Sequence, residues 1–351
     1  MEAQKTVEVR AHFEQRESGS FQCTLCPRLC VIRSNKQGWC GARENKNGKL
    51  IARTYGLASS VGPDPVEKKP LYHYFPGSAT YSIGGIGCNL GCLHCQNWSI
   101  STAKSLRSTR FISSEKAVKE AQELQCPSIS LTYNEPLIWY EYIIDIAEEC
   151  KKNDLELILV TNGYTNPDAA EEVSKVINAA NIDIKGFTED FYVKTCKGHL
   201  DPVLETARIF KENGVHVETT TLLIPGLNDS KEELRRLVQW QLDTLGPNTP
   251  VHFSRFVPHH KMKDRPLTPA KTLETARKLA LEAGMKFVYI GNLRGSGNHT
   301  YCPKCNVTIL KRNGYDIKKR ELTDDNKCGK CGEIIPIIGT FSQSRTRGFF
   351  F

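Results

Sequence analysis

Three cysteines, Cys88, Cys92 and Cys95, stand in the stretch Gly84-Gly85-Ile86-Gly87-Cys88-Asn89-Leu90-Gly91-Cys92-Leu93-His94-Cys95-Gln96-Asn97-Trp98. The C-x3-C-x2-C spacing sits in a glycine-rich loop directly after a short apolar run, 81–86, that reads as a strand. Four thiolates normally hold an iron–sulfur cluster. Three would leave one iron open to a further ligand, much as catalytic zinc sites keep a free position. The glycines at 84, 85, 87 and 91 are expected to let the backbone bend around a bulky cluster and approach it closely. A zinc loop is the competing chemistry, with His94 as the nearest fourth ligand. However, His94 sits between two of the proposed ligands, where a tight loop would strain a shared ion.

Two further groups of thiols flank that loop. Cys23-Thr24-Leu25-Cys26-Pro27-Arg28-Leu29-Cys30, with Cys40, supplies four thiolates within eighteen residues, enough for a tetrahedral zinc site or a second iron–sulfur cluster. Little apolar sequence surrounds it, so the segment is expected to need its metal to fold, with a structural role ahead of a redox one. Further on, Cys302-Pro303-Lys304-Cys305 and Cys328-Gly329-Lys330-Cys331 form two knuckles separated by twenty-two residues. Two such pairs complete a four-thiolate zinc site. Eleven of the 14 cysteines fall in these three groups. No export signal accompanies them, so metal sites in a reducing compartment fit better than disulfides. Cys126, Cys150 and Cys196 stand apart and read as small buried hydrophobes.

At 351 residues the chain is expected to form one large domain with small satellites, since single barrels run to about 250 residues. No apolar run approaches the roughly 20 residues of a membrane helix, and the opening stretch, 1–15, is polar and charged. A cytoplasmic protein without a membrane partner is therefore expected. The net charge of +8 is spread in short clusters such as Lys318-Lys319-Arg320. It reads as solvated surface and leaves a nucleic-acid partner open without demanding one.

These sites need a scaffold. Strand-like runs over 128–132, 155–161, 177–184, 215–223, 251–256 and 286–290 follow the first strand. They alternate with helical patterns over 114–124, 135–152, 167–176, 202–213, 231–245 and 269–283, and Gly214 and Gly284 stand where helices should stop. The alternation predicts an α/β protein whose parallel sheet is closed or partly closed into a (β/α)6-type TIM barrel. Its active site would lie at the carboxyl ends of the strands. Polar residues collect there: Thr132 to Pro136, Thr161-Asn162, Asp183 and Lys185, Thr219 to Thr221, then His252, Ser254 and Arg255 with His259-His260-Lys261. The expected division is a four-cysteine module over 1–65, the barrel over 66–297, a zinc ribbon over 298–340 and a mobile tail over 341–351. The tail ends in three phenylalanines that could dock on a partner. Asn45-Lys46-Asn47-Gly48 reads as a hairpin turn. The proline-rich 63–77 reads as an extended connector with solvated charges.

The cysteine loop resembles the radical S-adenosylmethionine (SAM) superfamily, whose motif is this spacing. The resemblance implies a 4Fe-4S cluster on Cys88, Cys92 and Cys95, with the SAM amino and carboxylate groups on its fourth iron. It also implies a one-electron donor of the flavodoxin or ferredoxin type. Asn134 and Glu135 look like the position where the family holds the SAM amine. Asp183 and Lys185 resemble the Asp-x-Lys of glycyl-radical-enzyme activases, beside the SAM carboxylate, where the Asp together with the region matching Thr161 can hold a monovalent cation. Asn162, His252 and Arg255 complete the candidate SAM contacts.

Taken together, the N-terminal cysteines, Asp64-Pro65-Val66-Glu67-Lys68-Lys69-Pro70-Leu71, Cys95-Gln96-Asn97-Trp98, Ile182 to Gly186, Gly291-Asn292 and the terminal Cys-Pro-x-Cys are similar to one family. It is the radical SAM enzyme of the AmmeMemoRadiSam system, related to pyruvate formate-lyase activating enzyme. This implies SAM cleavage with Memo-like and AMMECR-like partners and leaves the substrate open; the reading adopted is hydrogen abstraction from a substrate such as a protein or peptide side chain. The alternatives are a glycyl-radical activase, an RNA-modifying radical SAM enzyme that uses the ribbon, and a non-catalytic zinc-binding interaction protein.

Overall fold

The computed structural model describes residues 6–342. The expected tail, from 343 on, and residues 1–5 lie outside the described residues. Runs buried on both faces form the inner strands of a central sheet that has eight strands in all. These are β1 (Ser60–Pro65), β2 (Ala79–Gly84), β3 (Ser128–Thr132), β4 (Glu156–Thr161), β5 (Ala179–Asp183), β6 (His216–Leu223), β7 (Val251–Arg255) and β8 (Val288–Gly291). Strand order in space follows chain order, and β2 to β8 are all parallel. Six helices fill the crossovers: α1 (Ser114–Glu123), α2 (Tyr140–Lys152), α3 (Pro167–Ser174), α4 (Asp201–Glu212), α5 (Lys231–Thr244) and α6 (Ala270–Ala283). Such crossovers cover a parallel sheet, so its strands can be apolar on both sides. All six residues of β2 and all five of β3 are buried.

Local signals set the helix ends. Ser113 and Ser230 accept the backbone N–H groups of Lys116 and Glu233, the N-cap arrangement that satisfies otherwise unpaired donors. Gly284 ends α6 with φ +114°, a conformation that favours glycine. The sheet does not close, since each edge strand, β1 and β8, pairs on one side. The expected partial barrel is thus an open parallel run with an antiparallel edge.

Two element expectations are corrected. The expected division puts residues 60–65 in the N-terminal module, with the proline-rich connector starting at 63, yet they pair antiparallel with β2 along its whole length. An edge strand tolerates Pro63 and Pro65 because it needs donors on one side only. The helix expected over 135–152 starts later, because Glu135 is extended and Pro136–Trp139 forms a 3-10 turn before α2.

Around the sheet sit two smaller units. N-terminally, Phe13–Gln15, Phe21–Cys23 and Val31–Ile32 pair, and Arg43–Lys46 and Lys49–Ala52 form the expected hairpin, turning through Asn47 and Gly48 at positive φ. Their own core is small: Val9, Phe21, Ile32, Leu50 and Ala52. A fully buried ion pair, Arg43 to Glu141 at 2.9 Å, ties this unit to α2. C-terminally, Thr300–Tyr301, Thr308–Asn313 and Asp316–Lys319 make a three-stranded sheet whose core includes Tyr72, Phe287 and Tyr289. Arg312 lies over the Tyr72 ring and donates to the Tyr72 carbonyl at 2.9 Å.

Candidate active site at the cysteine loop

The chain leaves β2 at Gly84 and turns at once into the loop that carries Cys88, Cys92 and Cys95. Gly85 has the Trp139 ring where a Cβ would be, and Gly87, at φ +87°, has the Cys40 carbonyl there at 2.2 Å. These two glycines therefore make room for protein neighbours, a reason that the sequence reading assigned to the cluster. Backbone bonds pin the loop at three points: Gly87 N–H to Ile100 O, Gly91 N–H to Cys196 O and Leu93 N–H to Thr195 O, at 2.8 to 2.9 Å.

The three cysteines line a cavity of about 570 Å³ at the carboxyl ends of the parallel strands. Thr132, Asn134 and Glu135 from the end of β3, Thr161 and Asn162 from the end of β4, Asp183 and Lys185 from the end of β5, Thr220 on β6 and Ser254 on β7 share it. The Asn134 amide is taken up by the loop itself, its Oδ1 accepting from Gly85 N–H at 2.8 Å and its Nδ2 donating to Gly87 O at 3.1 Å. Glu135 is buried and accepts from Leu137 N–H, Thr161 Oγ1 and Asn162 N–H at 2.6 to 2.8 Å. Burial nevertheless pushes its carboxyl up to about 7. Asn162 points its Nδ2 at Cys88 Sγ, 3.5 Å away.

Lys185 Nζ meets Asp183 Oδ2 at 2.9 Å. Burial works against the Lys185 ammonium, but Asp183 and the nearby thiols lift its pKa well above the ordinary value. His94 also lines the cavity, and its Nδ1 has no hydrogen-bond partner. Burial, aided by Lys185, pulls its imidazole down to about 3, so the ring is neutral.

Two candidate contacts fall elsewhere. His252 shares a sheet face with Ser254 but sits two residues, about 6.6 Å, deeper along the strand. There its Nε2 bonds Glu218 at 2.7 Å, and its ring stacks on Tyr289. Arg255 falls on the opposite face by strand alternation and donates its Nε to Thr268 O at 2.8 Å. The connector was also misread, since Asp64, Glu67 and Lys69 are buried instead of solvated. Lys69 Nζ bonds Asp64 at 2.7 Å beside the ring of Tyr133, which lines the cavity.

Sequence reasoning did not place Lys68 or Tyr315 at the cavity. No local signal could have done so for Tyr315, which arrives from the C-terminal hairpin. Nor was the lone Cys196 expected beside the loop, where its thiol hydrogen-bonds Cys92. Cys126 and Cys150 are buried in the main core, as their isolation implied.

The donor set fits a polynuclear cluster. Two sulfurs bound to one zinc at about 2.3 Å can be no more than about 4.6 Å apart. Among the described residues, only Cys302, Cys305, Cys328 and Cys331 bring three or more potential metal-ligand atoms within 4.8 Å of one another. Cys88, Cys92, Cys95 and His94 are not gathered in this way. The hydrogen bond that the Cys92 thiol donates to Cys196, together with burial, holds it well above its ordinary pKa, and burial does the same for Cys88. As thiolates these groups need a cationic centre between them. The N–H of Leu90 and the amide of Asn162 already point at Cys88 sulfur.

The sequence model of the Radical SAM superfamily matches residues 82–238, the stretch from β2 through most of α5. The chain is 42% identical over 329 residues to Uncharacterized protein MJ0808 of Methanocaldococcus jannaschii, covering 93% of this chain and 98% of that one. It is 30% identical over 158 residues to a pyruvate formate-lyase-activating enzyme of Clostridium pasteurianum, covering 43% of this chain and 64% of that enzyme. A crystal structure of a radical SAM methyltransferase from Sphaerobacter thermophilus aligns over 63% of this chain and 68% of that one, with 15% identity and a TM-score of 0.48. The chain thus belongs to the MJ0808 family and carries a radical SAM domain homologous to pyruvate formate-lyase activating enzymes. No helix among the described residues is long and apolar enough to cross a membrane.

Proposed function

We propose that the protein is a radical SAM enzyme acting on a protein or peptide side chain. The observation that carries this reading is the convergence of Cys88, Cys92 and Cys95 with Asn162, Asp183 and Lys185 on one cavity at the carboxyl ends of the parallel strands. A 4Fe-4S cluster bound there would supply the electron that splits SAM into methionine and a hydrogen-abstracting 5′-deoxyadenosyl radical. Cys88, Cys92 and Cys95 would hold the cluster. Lys185 offers a cation to a carboxylate, and Asp183 keeps it charged and in place. Asn134 and Glu135 position the loop and the end of β4 and present their remaining acceptor capacity to an amine. The protein's donor would be a flavodoxin or ferredoxin.

The likeness to the activating enzyme of Clostridium pasteurianum favours a protein substrate, and a glycyl-radical activase is the second reading. An electron paramagnetic resonance (EPR) signal from a glycyl radical on a co-encoded large enzyme would select it. On the primary reading, the motif combination supports Memo-like and AMMECR-like proteins as partners. The C-terminal four-cysteine group would hold zinc. To test the core claim, the cluster is reconstituted anaerobically, reduced with dithionite and given SAM. Formation of 5′-deoxyadenosine by wild type, and its loss in Cys88→Ala, Cys92→Ala and Cys95→Ala, is the expected result. Full activity in any of these variants would refute the assignment.

A further inference from the structure

The N-terminal cysteines have no part in that reading. Cys23, Cys26, Cys30 and Cys40 all line one small cavity, walled by Leu25, Ile32, Trp39 and Ile138. They are unlinked by disulfides. No three of their sulfurs lie within 4.8 Å of one another, whereas the C-terminal set does. A single zinc holds its sulfurs within about 4.6 Å of one another, a spacing close to that of the C-terminal set. A cluster in which the thiolates are shared among several irons spans a wider set.

The sulfurs also receive the donors that such a cluster uses to set its charge and potential. Trp39 N–H points at Cys30 Sγ at 3.4 Å, Ala42 N–H at Cys40 Sγ at 3.5 Å, and the Arg43 guanidinium at Cys23 Sγ at 3.4 Å. Cys88 in the active-site loop is approached in the same way, by Leu90 N–H and Asn162.

The two cysteine groups are neighbours. The Cys40 carbonyl fills the space left by the missing Cβ of Gly87, the residue before Cys88. Arg28, between Cys26 and Cys30, donates to the carbonyl of Asn89 and to that of Lys197. Lys104 bonds the Trp39 carbonyl, and its ammonium interacts electrostatically with Cys40, Cys30 and Cys88.

We infer that Cys23, Cys26, Cys30 and Cys40 bind an auxiliary iron–sulfur cluster that passes single electrons to the active-site loop at Cys88. The electron comes from a reduced low-potential flavin or iron–sulfur protein, which is oxidised by one electron. The auxiliary cluster is reduced and then reoxidised as the electron moves on, and no protein bond forms or breaks. The electron's destination rests on the radical SAM reading; the cluster itself does not.

The test uses the full-length triple variant Cys88→Ala, Cys92→Ala, Cys95→Ala, reconstituted anaerobically with iron and sulfide. It is assayed for iron, acid-labile sulfide and zinc, and examined by EPR after addition of reduced flavodoxin. The expected result is about two to four iron with matching sulfide per chain and a reduced-cluster signal that the further substitution Cys40→Ser removes. A second zinc per chain without sulfide would overturn the inference. A cluster that reduced flavodoxin leaves oxidised would overturn the electron-transfer role. The wild-type count guards against a misfolded variant, since both clusters together exceed the about four iron of a single 4Fe-4S cube. Wild type stopping at about four iron that Cys40→Ser leaves in place would sink this inference alone. Wild type that binds only the auxiliary cluster would sink the active-site reading instead.

Discussion

The two four-cysteine groups flanking the central sheet contain the same ligand atoms and reach different geometries. At the C-terminal end each pair sits on a tight knuckle, closed by Asn306 N–H to Cys302 O and Gly332 N–H to Cys328 O at 2.8 to 2.9 Å. The knuckles bring Cys302 and Cys331 sulfurs to 3.5 Å and those of Cys305 and Cys328 to 3.6 Å, the closeness that a single ion requires. At the N-terminal end, three cysteines come from one run and Cys40 from ten residues further along the chain, and all four line one cavity without gathering as closely as the C-terminal set. The number of thiols is therefore a poor guide to the metal, and pairing on facing knuckles is the better one. The units are also seated differently, the N-terminal one by the buried Arg43–Glu141 pair and the C-terminal one by Arg312 over Tyr72.

The sharpest contrast is in metal content. Cys302→Ala should remove one zinc per chain, measured by elemental analysis, and expose 300–337 to limited proteolysis, because binding of a structural zinc contributes about 10 kcal/mol to folding. Iron and sulfide should not change; retention of the zinc would end the single-ion reading. Next, Glu141→Ala strands a buried guanidinium and should cost about 3–5 kcal/mol in denaturant unfolding, with the N-terminal unit loosening first. Uniform destabilisation of both units would show that the pair does not seat one of them. Gly87→Ala pushes a methyl into the Cys40 carbonyl at positive φ, an overpacking worth about 1–3 kcal/mol. It should lower the cluster content at the N-terminal site more than the zinc content at the C-terminal one.

The smallest effect concerns pH. Burial raises the carboxyl of Glu67, beneath the C-terminal unit, from 4.5 to about 7. The folded state therefore holds this proton more tightly than the unfolded chain. The resulting stabilisation is complete below pH 4.5 and is lost as pH rises through about 7. Glu67→Gln should flatten the fall of the melting temperature over that window by a few degrees. An unchanged slope would remove Glu67 as its cause.

Much of this was legible along the chain. The C-x3-C-x2-C loop, the strand–helix alternation and the Asn47-Gly48 turn depend on residue type and short-range spacing. Each strand expected from β2 to β8 is present with ends shifted by a residue or two. The candidate site was legible in part. Asp183, Lys185, Thr161 and Asn162 stand at strand ends, where a parallel sheet opens its cavity whatever the neighbours are. His252 and Arg255 stand on a strand as well, but one is too deep and the other faces away.

What the sequence by itself determined, then, is the set of ligands and the order of the elements, because hydrogen-bonded periodicity and turn chemistry are local. Only the tertiary structure decided which groups meet. It buried Asp64 with Lys69 beside Tyr133, placed Tyr315 over the cavity, and set Cys40 against Gly87. The approach to Tyr133, the place of Tyr315 and the Cys40–Gly87 contact all join residues far apart in the chain. Their existence follows from how the units pack on the sheet, which no spacing within one segment encodes.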